Sequence, residues 1–91
     1  MAIRVEFFGI ARQRAGISDL TLDLGQLTTP LAEVLDQVAA RLPELGRELI
    51  VAGRLHESLT ANIDGARFVH DPATLIRDHQ SLLILSADAG G

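Results

Sequence analysis

Hydrophobic and polar residues alternate from the start of the chain. Ile3, Val5 and Phe7 fall on one side, Arg4 and Glu6 on the other. This period-two pattern predicts a half-buried strand over residues 2–8. Phe8 lands on the polar side of the pattern. Residues 9–16, bounded by Gly9 and Gly16 and carrying Arg12 and Arg14, read as a loop. Alternation resumes over 18–24, with Leu20, Leu22 and Leu24 against Thr21 and Asp23, so the two strands should pair as a hairpin. After Thr28-Thr29-Pro30 the period changes. Leu31, Val34, Leu35, Val38, Ala39 and Leu42 recur at steps of three and four, one apolar stripe on a helix of about three turns. Thr29 suits its N-cap and Pro30 its first position. Glu33 and Asp36 sit early and Arg41 late, which complements the helix dipole. Pro43 ends the helix.

The second half has shorter signals. Residues 44–57 are open between readings: Leu49-Ile50-Val51 is a short strand or a helix end, broken up by Gly46 and Gly53. Residues 59–63 alternate with Leu59, Ala61 and Ile63 inward. Asp64-Gly65 marks a tight turn, and 66–69 a short return strand with Phe68. His70-Asp71-Pro72 is a loop, and Thr74 to Ile76 a short turn under the core. Arg77-Asp78-His79-Gln80 turns the chain into a last strand over 81–86. That strand is apolar at every position from Leu82 to Leu85, as befits a central strand covered on both faces or exposing one to a partner. The order is strand, strand, helix, strand, strand, strand. It predicts an α+β domain of the β-grasp kind: a mixed sheet of four to five strands with one main helix packed across it. Residues 1–86 form the domain and 87–91 a tail.

Composition narrows what such a domain does. Ninety-one residues make one domain, and a 47% hydrophobic content, mostly aliphatic, supplies a modest core. There is no cysteine, hence no disulfide, no thiolate nucleophile and no cysteine-type zinc site. No apolar stretch approaches a membrane span, and Met1 leads straight into the strand pattern without a signal peptide. The expectation is a cytoplasmic protein. A net charge of −4 without a basic patch argues against nucleic acid or an anionic membrane as partner. All eight basic residues are arginine. Compositional bias accounts for that; it also means that an activated C-terminus finds no lysine amine on its own chain.

The chain closes on Gly90-Gly91, after Ser86-Ala87-Asp88-Ala89. Two glycines make a tail without side chains that threads a narrow channel and takes backbone angles closed to other residues. The tail points to its own terminal carboxylate as the reactive group, with catalysis supplied by a partner. In isolation a terminal glycine pair could equally be a frayed end; the order of elements upstream favours the functional reading.

The opening Ile3-Arg4-Val5-Glu6-Phe7-Phe8 with Gly16, the stretch Ala61-Asn62-Ile63-Asp64-Gly65, and the close Asp78-His79-Gln80-Ser81-Leu82-Leu83-Ile84-Leu85 with Gly90-Gly91 resemble the small subunit of molybdopterin synthase, and with it the MoaD/ThiS family of ubiquitin-like sulfur carriers. The resemblance spans the chain in element order, and its specific motifs cover about a third of it. Two departures stand out. His79 replaces a glycine common in the turn before the last strand, and Ser86-Ala87-Asp88 replaces a proline pair. The resemblance implies an ATP-dependent cycle. A ubiquitin-activating-type adenylating enzyme would activate the Gly91 carboxylate as an acyl-adenylate, and a sulfur donor protein would convert it to a thiocarboxylate. A further enzyme, or a larger synthase subunit, would use the sulfur in molybdopterin, thiamin or related biosynthesis. The chain itself would be a carrier or non-catalytic subunit with no stably bound cofactor; ATP belongs to the partner. Two rivals stay open: a protein modifier conjugated through the same diglycine, and a β-grasp binding module with an incidental tail.

Other chemistry is sparse. His56, His70 and His79 match no metal-ligand spacing and read as surface residues. Ser86 and Asp88 have no histidine to complete a triad. Phe8 either folds under the 9–16 loop or joins Leu83 and Leu85 in a docking patch, if Leu82 and Ile84 face the helix. The candidate site is therefore Gly91 and Gly90 as the reacting end, with Phe8, Leu83, Leu85, Asp88 and Ala89 as the partner-binding residues.

Overall fold

The computed structural model describes residues 2–88. Strand β1 (Ala2–Phe7) pairs antiparallel with β2 (Asp19–Asp23), with Ile3 opposite Leu22 and Val5 opposite Leu20. Helix α1 (Gly9–Ala15) joins them. Strand β3 (Thr28–Pro30) leads into α2 (Leu31–Arg41), then α3 (Pro43–Leu49), and a small hairpin of β4 (Ile50–Val51) and β5 (Arg54–Leu55). Strands β6 (Leu59–Ile63), β7 (Arg67–Val69), β8 (Leu75–Arg77) and β9 (Ser81–Ser86) follow. The main sheet is mixed and five-stranded, in the order β2-β1-β9-β6-β7. The last strand is inserted in the middle, parallel to β1 and antiparallel to β6.

The alternation of β1 explains its inner face: Ile3, Val5 and Phe7 are buried. The stripe on α2 packs on that face through Leu31, Val34, Leu35 and Val38, all buried, with Ala39 and Leu42 partly so. Leu82 and Ile84 of β9 complete the contact, fully buried beneath the helix. Each such side chain contributes roughly 1.5–3 kcal/mol on leaving water, so the core stands on β1, β9 and α2 together.

Four local expectations are corrected. Residues 9–16 are a helix: Ala11, Arg12, Gln13, Arg14 and Ala15 form helices readily, and Gly16 closes α1 at φ 76° with its amide on the Arg12 carbonyl at 3.0 Å. Only Ala11 of this helix is buried, so no apolar stripe announced it. Thr29 is not the N-cap of α2. It lies buried in β3, where Gln26 Nε2 donates to its hydroxyl oxygen, and Pro30 takes the cap position with extended angles. Residues 74–76 are no turn, since Leu75–Arg77 pair antiparallel with β3 and Ile76 is buried. Pro43 ends α2 but also opens α3, at its N1/N2 position, where a missing N–H costs nothing.

The two turns around the last strand hold it in place. Asp64 and Gly65 both have positive φ, the Ala66 amide closes on the Ile63 carbonyl, and the Asp64 carboxylate accepts the Ser81 amide at 2.7 Å. His79 takes φ 68°, where the resembled family often has glycine, and its amide donates to the Ala2 carbonyl at 2.9 Å. That tertiary bond supports a conformation a side chain disfavours.

Candidate functional site

Because β1 and β9 run parallel, they end together, and the tail leaves from that end. The ladder runs one residue past β1: the Phe8 amide donates to the Ile84 carbonyl at 3.0 Å. Phe8 stands on the face opposite α2 and is 44% exposed. Leu83 and Leu85 lie on the same outer face and are half-buried. Gly9 then turns the chain off at φ 56°, where a Cβ would come 2.9 Å from Ser86 Oγ. The angle favours glycine, and a side chain here would also have to displace the Ser86 hydroxyl. This turn sets α1 against β9 and leaves Ile10 exposed at the root of the tail, a residue the loop reading had hidden.

On the other side of β9 the Ala87 amide donates to the Ser58 carbonyl at 2.9 Å, carrying the β6–β9 ladder one residue further. Asp88 is exposed in a turn. Ala89, Gly90 and Gly91 lie outside the described residues. A cleft of about 510 Å³ opens beside Ala87, between α2, β6 and the segment after β5, with Arg54, His56 and His70 at its rim. His56 Nδ1 and Ser58 Oγ lie 2.9 Å apart there. Among the described residues no three His, Asp or Glu side chains gather to hold a metal ion.

The outer face divides by chemistry. Toward β2 it is charged: Arg4 Nη2 donates to Asp19 Oδ2 at 3.0 Å and Arg4 Nε lies 3.6 Å from Glu6 Oε1. Toward the tail it is apolar, through Phe8, Leu83 and Leu85. Across β9 the register sets Leu83 beside Asn62, and Asn62 beside Phe68, which is 46% exposed. Phe68 thus extends the apolar half. Pairing residues back from the Asp64-Gly65 turn is the sequence signal that could have found it. Away from this face, Arg14 of α1 donates to Glu48 of α3 at 2.6 Å, and this hydrogen bond holds the Glu48 carboxyl below its ordinary range.

A hairpin, a helix laid across it and a last strand inserted parallel to the first define a ubiquitin-like β-grasp domain. Known structures of the same fold agree. SAMP1 from Haloferax volcanii superposes with a TM-score of 0.79 at 15% identity, over 100% of both chains. A chain of the BexX/CysO complex from Amycolatopsis orientalis gives 0.68 at 22% identity, over 98% of this chain and 99% of that one. The complex of subunits 1 and 2 of molybdopterin-converting factor from Helicobacter pylori gives 0.63 at 16% identity, over 100% of both. These neighbours are ubiquitin-like sulfur carriers of the MoaD/ThiS family, and at such identities the likeness establishes the fold. No family model matches the chain, and no curated protein matches its sequence. Among the described residues no helix is long and apolar enough to cross a membrane.

Proposed function

We propose that this chain is a cytoplasmic sulfur carrier. A partner enzyme joins the Gly91 carboxylate to the α-phosphate of ATP, releasing pyrophosphate. A sulfur donor then displaces AMP to leave a thiocarboxylate. A carboxylate is a poor acyl electrophile until adenylation supplies a leaving group, and the tail offers no catalytic side chain, so the catalysis belongs to partners. The observation that carries this reading is the placement of the tail root: the central strand runs out beside exposed Phe8 and Ile10 and half-buried Leu85. An enzyme that must hold the Gly91 carboxylate at a reacting centre gains orientation from such a grip. The BexX/CysO and molybdopterin-converting factor neighbours, both complexes of two proteins, support a carrier that works in assemblies; on this reading a larger synthase subunit is one candidate consumer of the sulfur.

Deleting Gly91 should abolish ATP–pyrophosphate exchange by the adenylating enzyme while circular dichroism stays unchanged. Exchange retained by the shortened chain would exclude Gly91 as the acyl group. A second reading, a modifier conjugated through the same end, is supported by the SAMP1 neighbours, which are named as modifier proteins. Intact mass separates the two: a gain of one sulfur for oxygen marks the carrier, an amide-linked adduct the modifier.

A further inference from the structure

Among the described residues one buried side-chain polar atom has no hydrogen-bond partner: Oδ1 of Asn62. Asn62 is 6% exposed, yet its neighbours Ala61 and Ile63 take the inner face of β6, so its side chain belongs to the outer one. It stands between Phe68 on β7 and Leu83 on β9. A buried acceptor left without a donor costs stability that an apolar residue of the same shape would not. Groups of this kind in folded proteins call for an explanation, and sites of function are where local rules are broken. Here the orphan acceptor sits within the apolar half of the outer face, next to the half-exposed ring of Phe68.

We propose that Asn62 is the polar reading point of the docking face. The partner is a protein surface with an apolar rim, matching Phe68, Leu83 and Leu85, around one N–H or O–H donor. Oδ1 is buried in the free chain, so the donor reaches it by displacing the side chains beside it, of which Phe68 is the most exposed. The apolar contacts bind, and the single hydrogen bond discriminates. A partner with the same apolar shape but no donor leaves Oδ1 buried and unpaired, which selects against it. This inference rests on the carrier function proposed above and names the chemistry of the partner's contact surface.

Two variants test it, Asn62→Leu and Asn62→Thr, in thermal melts and in ATP–pyrophosphate exchange with the adenylating enzyme encoded in the same genome. Asn62→Leu should melt at a higher temperature, while its KM as carrier rises about tenfold, equivalent to about 1.4 kcal/mol, with kcat at saturating carrier unchanged. Asn62→Thr keeps an acceptor oxygen and should restore most of the lost affinity. A KM for Asn62→Leu equal to or below that of the native chain overturns the proposal. A native chain that dimerises through this face, with dimerisation lost in Asn62→Leu, overturns it in favour of a second copy. No exchange with the native chain overturns the carrier function and this inference with it. Exchange that is lost on deleting Gly91 but indifferent to Asn62 overturns this inference alone.

Discussion

Asp78 shows how much one side chain can organise. Its carboxylate accepts the Ala2 amide at 2.8 Å and so fixes the start of β1 to the turn that launches β9. That bond holds the Asp78 carboxyl below its ordinary value of 3.8, with nearby His79 acting in the same direction. A carboxyl whose folded pKa is lowered contributes stability above its unfolded pKa and loses it as pH falls through the folded value. Asp78→Asn should therefore flatten the fall in melting temperature as pH drops through and below the ordinary carboxyl value of 3.8, relative to the native chain; parallel curves would remove Asp78 from the acid transition. At this scale the alternation of β1 was enough to put Phe8 outside. It could not show that Thr60 and Asn62, on the outer face of β6, are nonetheless buried. The cover for Asn62 comes from strands paired with β6 across the sheet, which local sequence does not report.

Elements were legible where they carry their own apolar pattern. Helix α2 was plain because Leu31, Val34, Leu35 and Val38 repeat at helical spacing and face one core. Leu35 is 1% exposed, so Leu35→Ala should cost about 2–5 kcal/mol in denaturant unfolding; an unchanged midpoint would mean the site refills without a cavity. The elements missed were those that other parts of the molecule hold in place. Helix α1 buries a single alanine, and its fixed points are Gly9 against Ser86 and Arg14 on Glu48. Strand β8 is three residues long and exists through its pairing with β3. Neither contact is visible within a window of neighbouring residues.

For the whole molecule, topology decides which residues can act together. The parallel pairing of β1 with β9 brings Phe8 beside Leu85, at the point where the tail departs. Phe8→Asp and Leu85→Asp should each weaken binding to the adenylating partner proposed above at least tenfold, about 1.4 kcal/mol, with a smaller change in melting temperature for Phe8, the more exposed of the two. Unfolding of both variants would place these residues in the core and the docking surface elsewhere. The apolar tail end of the sheet was legible in part, since Phe8, Leu83 and Leu85 follow from alternation. Ile10, Phe68 and the Arg54–His56–His70 cleft depend on how distant segments meet.

The strand made last occupies the middle of the sheet, with Arg4 on one side paired to Ser81 and Asn62 on the other paired to Leu83. Until Ser81–Ser86 exist, β1 and β6 have no neighbour between them and the stripe on α2 has half a floor. Folding of the domain therefore waits until β9 has been made, and long-range pairings of this kind form slowly. A chain arrested short of β9 leaves its aliphatic core open to proteases and chaperones. The fold thus checks for its central strand: a compact domain is one that already carries β9, the strand that leads into the diglycine.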